Sequence, residues 1–175
     1  MKKFLKLIIL FIISNTISAR EITPIPHWGK NTIKVYIPSG NNTNTVKNAF
    51  QQWQGMSSGK LNFEFVQKLP ADIEIEFKEG TSGSTPISYY SLEIDGNNIN
   101  KAVIYIDLNK AQNYSNNYTN KVMLHEVGHA LGMKDMPMKK TSIMHTPVTE
   151  EQELLKLDIR NLYSISEWSY ADRNF

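Results

Sequence analysis

The stretch HEVGHALGMKD, residues 125–135, constrains the fold of this chain more than any other segment. His125 and His129 are four residues apart, so on an α-helix their side chains lie on one face, about 5–6 Å apart at Cβ. Two imidazoles at that spacing can bind one zinc ion through nitrogens at about 2.0–2.1 Å. The spacing therefore predicts a helix with a metal site on one face.

Glu126 follows the first histidine and is rotated from it by about 100° around the helix axis. That offset places its carboxylate beside the metal, where it can act as a general base toward a zinc-activated water. The alternative is that His125 and His129 form an ordinary buried pair on an amphipathic helix. A chance match to H-E-x-x-H is rare in a chain with four histidines, so we favour the zinc interpretation.

Gly132 lies three residues beyond His129 and suits a sharp helix end, because glycine readily adopts the left-handed backbone conformation. The chain beyond this glycine can bring a third ligand to the metal from another direction. Asp135 stands there, and carboxylate oxygen binds zinc at about 2.0–2.2 Å. His145 is the alternative third ligand; we favour Asp135 and interpret His145 as pocket wall or surface.

Alternating and apolar patterns predict a strand, a helix and four more strands before this helix, with one further helix after it. The predicted strands are residues 31–38, 60–67, 71–79, 87–94 and 101–108. The predicted helices are residues 43–58, about 117–132 and about 149–164. This order indicates an α/β domain with one mixed sheet and helices packed on it.

The first 19 residues, MKKFLKLIILFIISNTISA, have the charged, apolar and small-residue order of a secretory signal peptide. Cleavage after Ala19 would leave a single domain, residues 20–175, about the size that one core supports. We therefore expect a secreted or periplasmic protein with no stable membrane association once the leader is removed.

The charge of the mature chain is nearly balanced. Removing three leader lysines from 19 basic residues leaves 16, against 17 acidic residues, for a net charge of −1. Such a balance, without a long basic run, argues against a nucleic-acid partner. With no cysteine, the fold has no disulfides. We expect a monomer.

The motifs resemble those of the metzincin metallopeptidases, and HEVGHALG is most similar to the matrixins. SIMH, residues 142–145, resembles the methionine turn, which implies that Met144 is an apolar floor beneath the metal. PHWGKNTIKVYIP, residues 26–38, resembles the segment that enters the first matrixin strand. The resemblance implies an α+β catalytic domain with a mixed, mostly parallel five-stranded twisted sheet, an active-site helix, a second packing helix and a C-terminal helix after the methionine turn.

The chain departs from the matrixin pattern in its ligands. Asp135 stands where the family has a third histidine, a variant similar to the snapalysin-type enzymes. No histidine lies between residues 80 and 110, where matrixins hold a structural zinc, so we expect one catalytic zinc ion. The family allows calcium, but Asp95, Gly96 and Asn97 are more typical of a hairpin turn than of a binding loop.

The resemblance implies a zinc-dependent endopeptidase that hydrolyses proteins or peptides. It also implies that an extended substrate lies along an edge strand at Ile87, Ser88, Tyr89 and Tyr90, in the manner of an added strand.

Other interpretations remain open. One is a catalytically silent zinc-binding interaction module on the same scaffold, although Glu126 would then have no use. Another is a structural zinc site in which His145 fills the fourth coordination position. A third is a thermolysin-like enzyme with Glu150 or Glu151 as a downstream ligand, but both are expected to open the last helix.

Overall fold

A computed structural model describes residues 25–78 and 87–166. Its elements in chain order are β1 (Thr32–Tyr36), α1 (Thr43–Met56), β2 (Asn62–Val66), β3 (Ile73–Lys78), β4 (Ser88–Asp95), β5 (Asn98–Asp107), α2 (Leu108–Ala111), α3 (Asn116–Ala130) and α4 (Lys156–Ile165). The predicted signal peptide, residues 1–19, and the last nine residues lie outside the described part. In that part, no helix combines the length and the apolar character that a bilayer crossing requires.

The five strands form one mixed sheet in the order β2-β1-β3-β5-β4. The pairs β1–β2, β1–β3 and β3–β5 are parallel, and β4 alone runs antiparallel, beside β5. A tight turn through Gly96, at φ +58°, joins β4 to β5. The predicted fold class is therefore confirmed, and β4 is an edge strand of the described sheet.

The core lies between one face of the sheet and the two long helices. The sheet contributes fully buried branched side chains, among them Ile33, Ile75 and Ile104. Helix α1, which lies within the predicted helix of residues 43–58, buries Val46, Ala49, Phe50 and Trp53. Helix α3 packs against α1 and against the neighbouring strands β4 and β5 of the sheet.

Two tryptophan indoles fix α3 through its backbone. Trp53 Nε1 donates to the Leu124 carbonyl, and Trp28 Nε1 donates to the Ala130 carbonyl, both at 2.9 Å. The second bond satisfies a carbonyl in the last helical turn, which has no partner within the helix. The helix that carries the HExxH motif is therefore anchored at its middle and at its end.

The C-terminal helix begins later than predicted, at Lys156 and not near residue 149. The segment before it pairs with the chain ahead of the methionine turn. The Ile143 N–H donates to the Glu153 carbonyl at 2.8 Å, and the Glu153 N–H donates to the Thr141 carbonyl at 3.0 Å. These bridges hold the backbone extended and exclude a helix there.

The sequence TEEQ at residues 149–152 resembles a capping box, and Gln152 Oε1 accepts from the Thr149 N–H at 3.2 Å, but no helix begins there. Glu150 instead accepts hydrogen bonds from Ser115 Oγ at 2.6 Å and Asn117 Nδ2 at 3.0 Å. At the true helix start, Asp158 Oδ2 accepts from the Leu155 N–H at 2.7 Å. The carboxylate three residues into the helix thus satisfies the free N–H, as in the second half of a capping box.

Candidate metal centre

Helix α3 presents the HExxH residues on its buried side. Ser115 Oγ caps the helix by accepting from the Tyr118 N–H at 2.9 Å. His125, Glu126 and His129 follow in the last two turns, and all three are buried. The four-residue spacing brings the two imidazole rings to a centroid distance of 4.5 Å.

The helix ends at Ala130, and Gly132, two residues later, reverses the chain at φ +93°. Its N–H donates to the His129 carbonyl at 2.9 Å, and the Met133 N–H donates to the Gly128 carbonyl at 3.0 Å. A Cβ on Gly132 would lie 2.3 Å from the Pro26 carbonyl oxygen. Both the backbone angle and this contact require glycine, and the reversal sends the chain back toward the two histidines.

Both histidines present the same nitrogen, Nε2, to the centre. Nδ1 of His125 lies 2.8 Å from the Ile143 carbonyl oxygen, and Nδ1 of His129 lies 2.9 Å from the Met133 carbonyl oxygen. Since a carbonyl oxygen only accepts, each Nδ1 is assigned the proton from these contacts. In the neutral rings each Nε2 then carries a lone pair and no hydrogen.

The two Nε2 atoms and one carboxylate oxygen converge. The nitrogens of His125 and His129 are 2.9 Å apart, and Asp135 Oδ1 lies 3.4 Å from each. Two lone pairs and an anionic oxygen at these distances repel one another unless a cation lies among them. Zinc–ligand bonds of about 2.0–2.1 Å in a tetrahedral site require ligand atoms about 3.3 Å apart. The donor atoms and their spacing therefore fit a zinc ion.

The centre is closed on the histidine side and open on the aspartate side. The side chains of His125 and His129 are 7% and 8% exposed, whereas that of Asp135 is 50% exposed. Burial lowers the pKa of both histidines, which favours the neutral form that binds metals. The open side leaves room for water or a substrate to reach the ligand atoms.

Glu126 lies beside the three ligand atoms and is held by a serine. Ser88 Oγ donates to Glu126 Oε1 at 2.8 Å, whereas Oε2 is buried without a hydrogen-bond partner among the described residues. Burial raises the pKa of Glu126 to about 7, opposed by the Ser88 bond and assisted by the negative charge of Asp135. A carboxyl group with this pKa can exchange protons near neutral pH.

Tyr90 covers one ligand. Its ring stacks on the His129 imidazole with centroids 4.3 Å apart and planes 17° from parallel. Since side chains alternate along a strand, Ser88 and Tyr90 of β4 both face α3, and Tyr89 between them stacks on Tyr105 across the opposite face.

The methionine turn packs directly under the HExxH helix. Met144 is fully buried, and a Cβ on Gly128 would lie 2.3 Å from its sulfur. The Met144 N–H donates to Ser142 Oγ at 3.0 Å, and that hydroxyl donates to the buried Asp158 carboxylate of α4. The turn and the helix therefore contact with no space for a side chain at residue 128.

The other ligand candidates lie elsewhere. Nδ1 of His145 is 3.3 Å from the Met136 carbonyl oxygen, and this histidine is not part of the group of three. Glu150 is bonded at the start of α3, ten residues before His125, or about 15 Å along the helix. These placements favour Asp135 over both alternatives.

Two contacts of the site had no sequence signal that identifies them. The Ser88 bond to Glu126 joins residues 38 apart, and the stacking of Tyr90 on His129 joins residues 39 apart. Ser88 and Tyr90 were predicted to lie along the substrate, but the sequence did not predict their contacts with the HExxH residues. Gly128 was also missed, although a glycine inside a helix often indicates close packing.

The matrixin family model matches residues 29–168, a span that contains every element from β1 to α4. A search among curated proteins found no match. The family match supports a zinc metallopeptidase function and protein or peptide substrates.

Proposed function

Because the chain belongs to the matrixin family of peptidases, we propose that it is a zinc-dependent endopeptidase. In this proposal His125, His129 and Asp135 hold the zinc ion, and Glu126 is the general base. The observation that carries it is the convergence of two lone-pair nitrogens and a carboxylate oxygen, 2.9–3.4 Å apart, beside a buried glutamate. When bound, zinc lowers the pKa of a coordinated water to about 7 and polarises the scissile carbonyl.

Glu126 moves the proton. Its carboxylate is held by Ser88 through Oε1 and accepts a proton from the attacking water. The same carboxyl group then gives that proton to the amine nitrogen of the broken peptide bond. Burial raises the pKa of Glu126 to about 7 in the metal-free site. The positive charge of a bound zinc ion would oppose that shift and favour the carboxylate form that accepts the proton.

Strand β4 is the proposed substrate platform. It pairs with β5 on one side only among the described strands, so its outer main-chain groups can bond to an extended peptide. Residues Ile87, Ser88, Tyr89 and Tyr90 lie at the end of this strand that approaches Glu126. A peptide paired there would place a carbonyl beside the three ligand atoms.

The proposal includes export. A leader at residues 1–19 would carry the enzyme to a periplasm or out of the cell, and the mature domain would act there as a monomer. N-terminal sequencing of the exported protein tests the cut after Ala19.

The decisive experiment is digestion of casein or gelatin by the purified mature chain. Cleavage should stop with a chelator, return with zinc, and be absent in Glu126→Ala at unchanged zinc content. Glu64→Ala, at an exposed position of β2, is the matched control and should cleave normally. Stoichiometric zinc without any cleavage would favour the silent binding module, and absence of zinc binding would refute the proposal.

A further inference from the structure

The third candidate ligand has a hydrogen-bond partner of its own. Thr146 Oγ1 donates to Asp135 Oδ1 at 2.9 Å. This is the same oxygen that lies 3.4 Å from Nε2 of both His125 and His129. A carboxylate oxygen has two lone pairs, so one can accept the threonine hydrogen while the other faces the metal.

The three ligands differ in how they are oriented. His125 and His129 are buried on a helix, and main-chain carbonyls hold their Nδ1 atoms. Asp135 is half exposed on the loop after Gly132, and the partner of its Oδ1 is a side-chain hydroxyl. The orientation of the third ligand therefore depends on a group that one substitution removes.

The loop that carries Asp135 and the methionine turn that precedes Thr146 are joined by a main-chain bond that does not involve the Thr146 hydroxyl. The Met136 N–H donates to the Met144 carbonyl at 2.6 Å, which joins the residue after Asp135 to the methionine turn. Thr146 follows two residues later and is exposed. Replacing its side chain should change the contact with Asp135 and leave the main-chain link and the core in place.

We propose that Thr146 is a positioning residue for the metal site: its hydroxyl holds Asp135 Oδ1 toward the two histidine nitrogens and so tightens zinc binding. This inference rests on the ligand set of the proposed function. Partners that orient metal ligands typically contribute 10- to 100-fold in metal affinity. We expect about tenfold, the low end of that range, because solvent competes for the half-exposed carboxylate.

The test measures zinc affinity by competition with a chromophoric chelator, without any peptide substrate. Thr146→Val removes the hydroxyl at nearly constant shape and should weaken zinc binding about tenfold, whereas Thr146→Ser should bind like wild type. Thr141→Val, at another exposed threonine before the methionine turn, is the matched control. In an Asp135→Ala background, Thr146→Val should have no further effect, because the ligand that it orients is gone.

Two results would overturn the inference: wild-type affinity in Thr146→Val, or an equal loss with and without Asp135, which would indicate a general structural effect. Thermal melting of the metal-free variants checks that all fold alike. A wild-type protein that binds zinc and cleaves peptides while Thr146→Val is unchanged contradicts only this inference. A wild-type protein that does not bind zinc contradicts the proposed function as well.

Discussion

The Ser88 hydroxyl on edge strand β4 donates a 2.8 Å hydrogen bond to Glu126 Oε1 on helix α3. Both side chains are buried, so the bond is shielded from competing water. It links the strand proposed to carry the substrate to the proposed general base. It also distinguishes the two carboxylate oxygens, since Oε2 has no hydrogen-bond partner among the described residues.

Removing this bond should impair turnover more than binding. We expect Ser88→Ala to lower kcat about tenfold, part of the roughly 10²–10⁴-fold that a general base contributes. KM and zinc content should change little, because the backbone of β4 and the metal ligands are untouched. Steady-state kinetics on a fluorogenic peptide measures the effect. Ser88→Thr keeps a hydroxyl and should recover most of kcat; equal losses in both variants would argue against the positioning role.

The raised pKa of Glu126 predicts a pH-dependent stability for the metal-free protein. Burial raises this pKa to about 7, so ionising the carboxyl costs folding free energy. The contribution of Glu126 to stability is therefore fully present below its unfolded pKa and is lost as the pH rises through about 7.

Glu126→Gln removes that titration while keeping the size of the side chain and an oxygen for Ser88. We expect the chelator-treated variant to exceed wild type by up to about 3 kcal/mol above pH 7, with the difference vanishing toward pH 4. Urea unfolding at a series of pH values measures it. Glu64→Gln on the exposed face of β2 is the control. A constant difference across the whole pH range would contradict the burial argument.

A substitution that adds a side chain at Gly128 should create a packing clash, which the periodicity of the sequence does not reveal. A Cβ there would lie 2.3 Å from Met144 Sδ and 3.1 Å from Trp53 Cζ2. We expect Gly128→Ala to reduce the free energy of unfolding by about 1–3 kcal/mol, the usual cost of overpacking. Gly55→Ala, near the end of α1 with nothing within 4 Å, should be neutral or stabilising. Thermal melts of the metal-free proteins compare the two, and equal stability would refute the close packing.

The stacking of Tyr90 on His129 should strengthen when a cation binds that imidazole, because the tyrosine ring face is electron-rich. We expect Tyr90→Leu to weaken zinc binding about three- to tenfold, equivalent to about 0.5–1.5 kcal/mol. Tyr90→Phe keeps the ring and should bind zinc like wild type. The chelator competition assay separates these variants. A loss in Tyr90→Phe as large as in Tyr90→Leu would assign the effect to the hydroxyl and not to stacking.

Local patterns predicted the elements well, because they depend on backbone geometry within one segment. Alternating and apolar patterns located all five strands, and the pattern of residues 43–58 located α1. The spacing of His125 and His129 follows from the helix repeat and needs no knowledge of the rest of the fold.

The start of the last helix was mispredicted for a nonlocal reason. Residues 149–152 carry a plausible capping pattern, but the bridges of Glu153 with Thr141 and Ile143 hold the backbone ahead of α4 in an extended conformation. Those partners are contributed by the segment before the methionine turn. A local signal was thus overridden by pairing with a distant part of the chain.

By itself the sequence determined the histidine pair, the adjacent glutamate and the glycine that ends their helix, because these depend on the 3.6-residue repeat and on one backbone angle. Only the tertiary structure placed Asp135, and not His145, within 3.4 Å of both imidazole nitrogens. The hydrogen bonds from Ser88 to Glu126 and from Thr146 to Asp135 likewise follow from the tertiary structure alone. Each of these contacts joins separate segments of the chain, and their distances are set by how those segments pack.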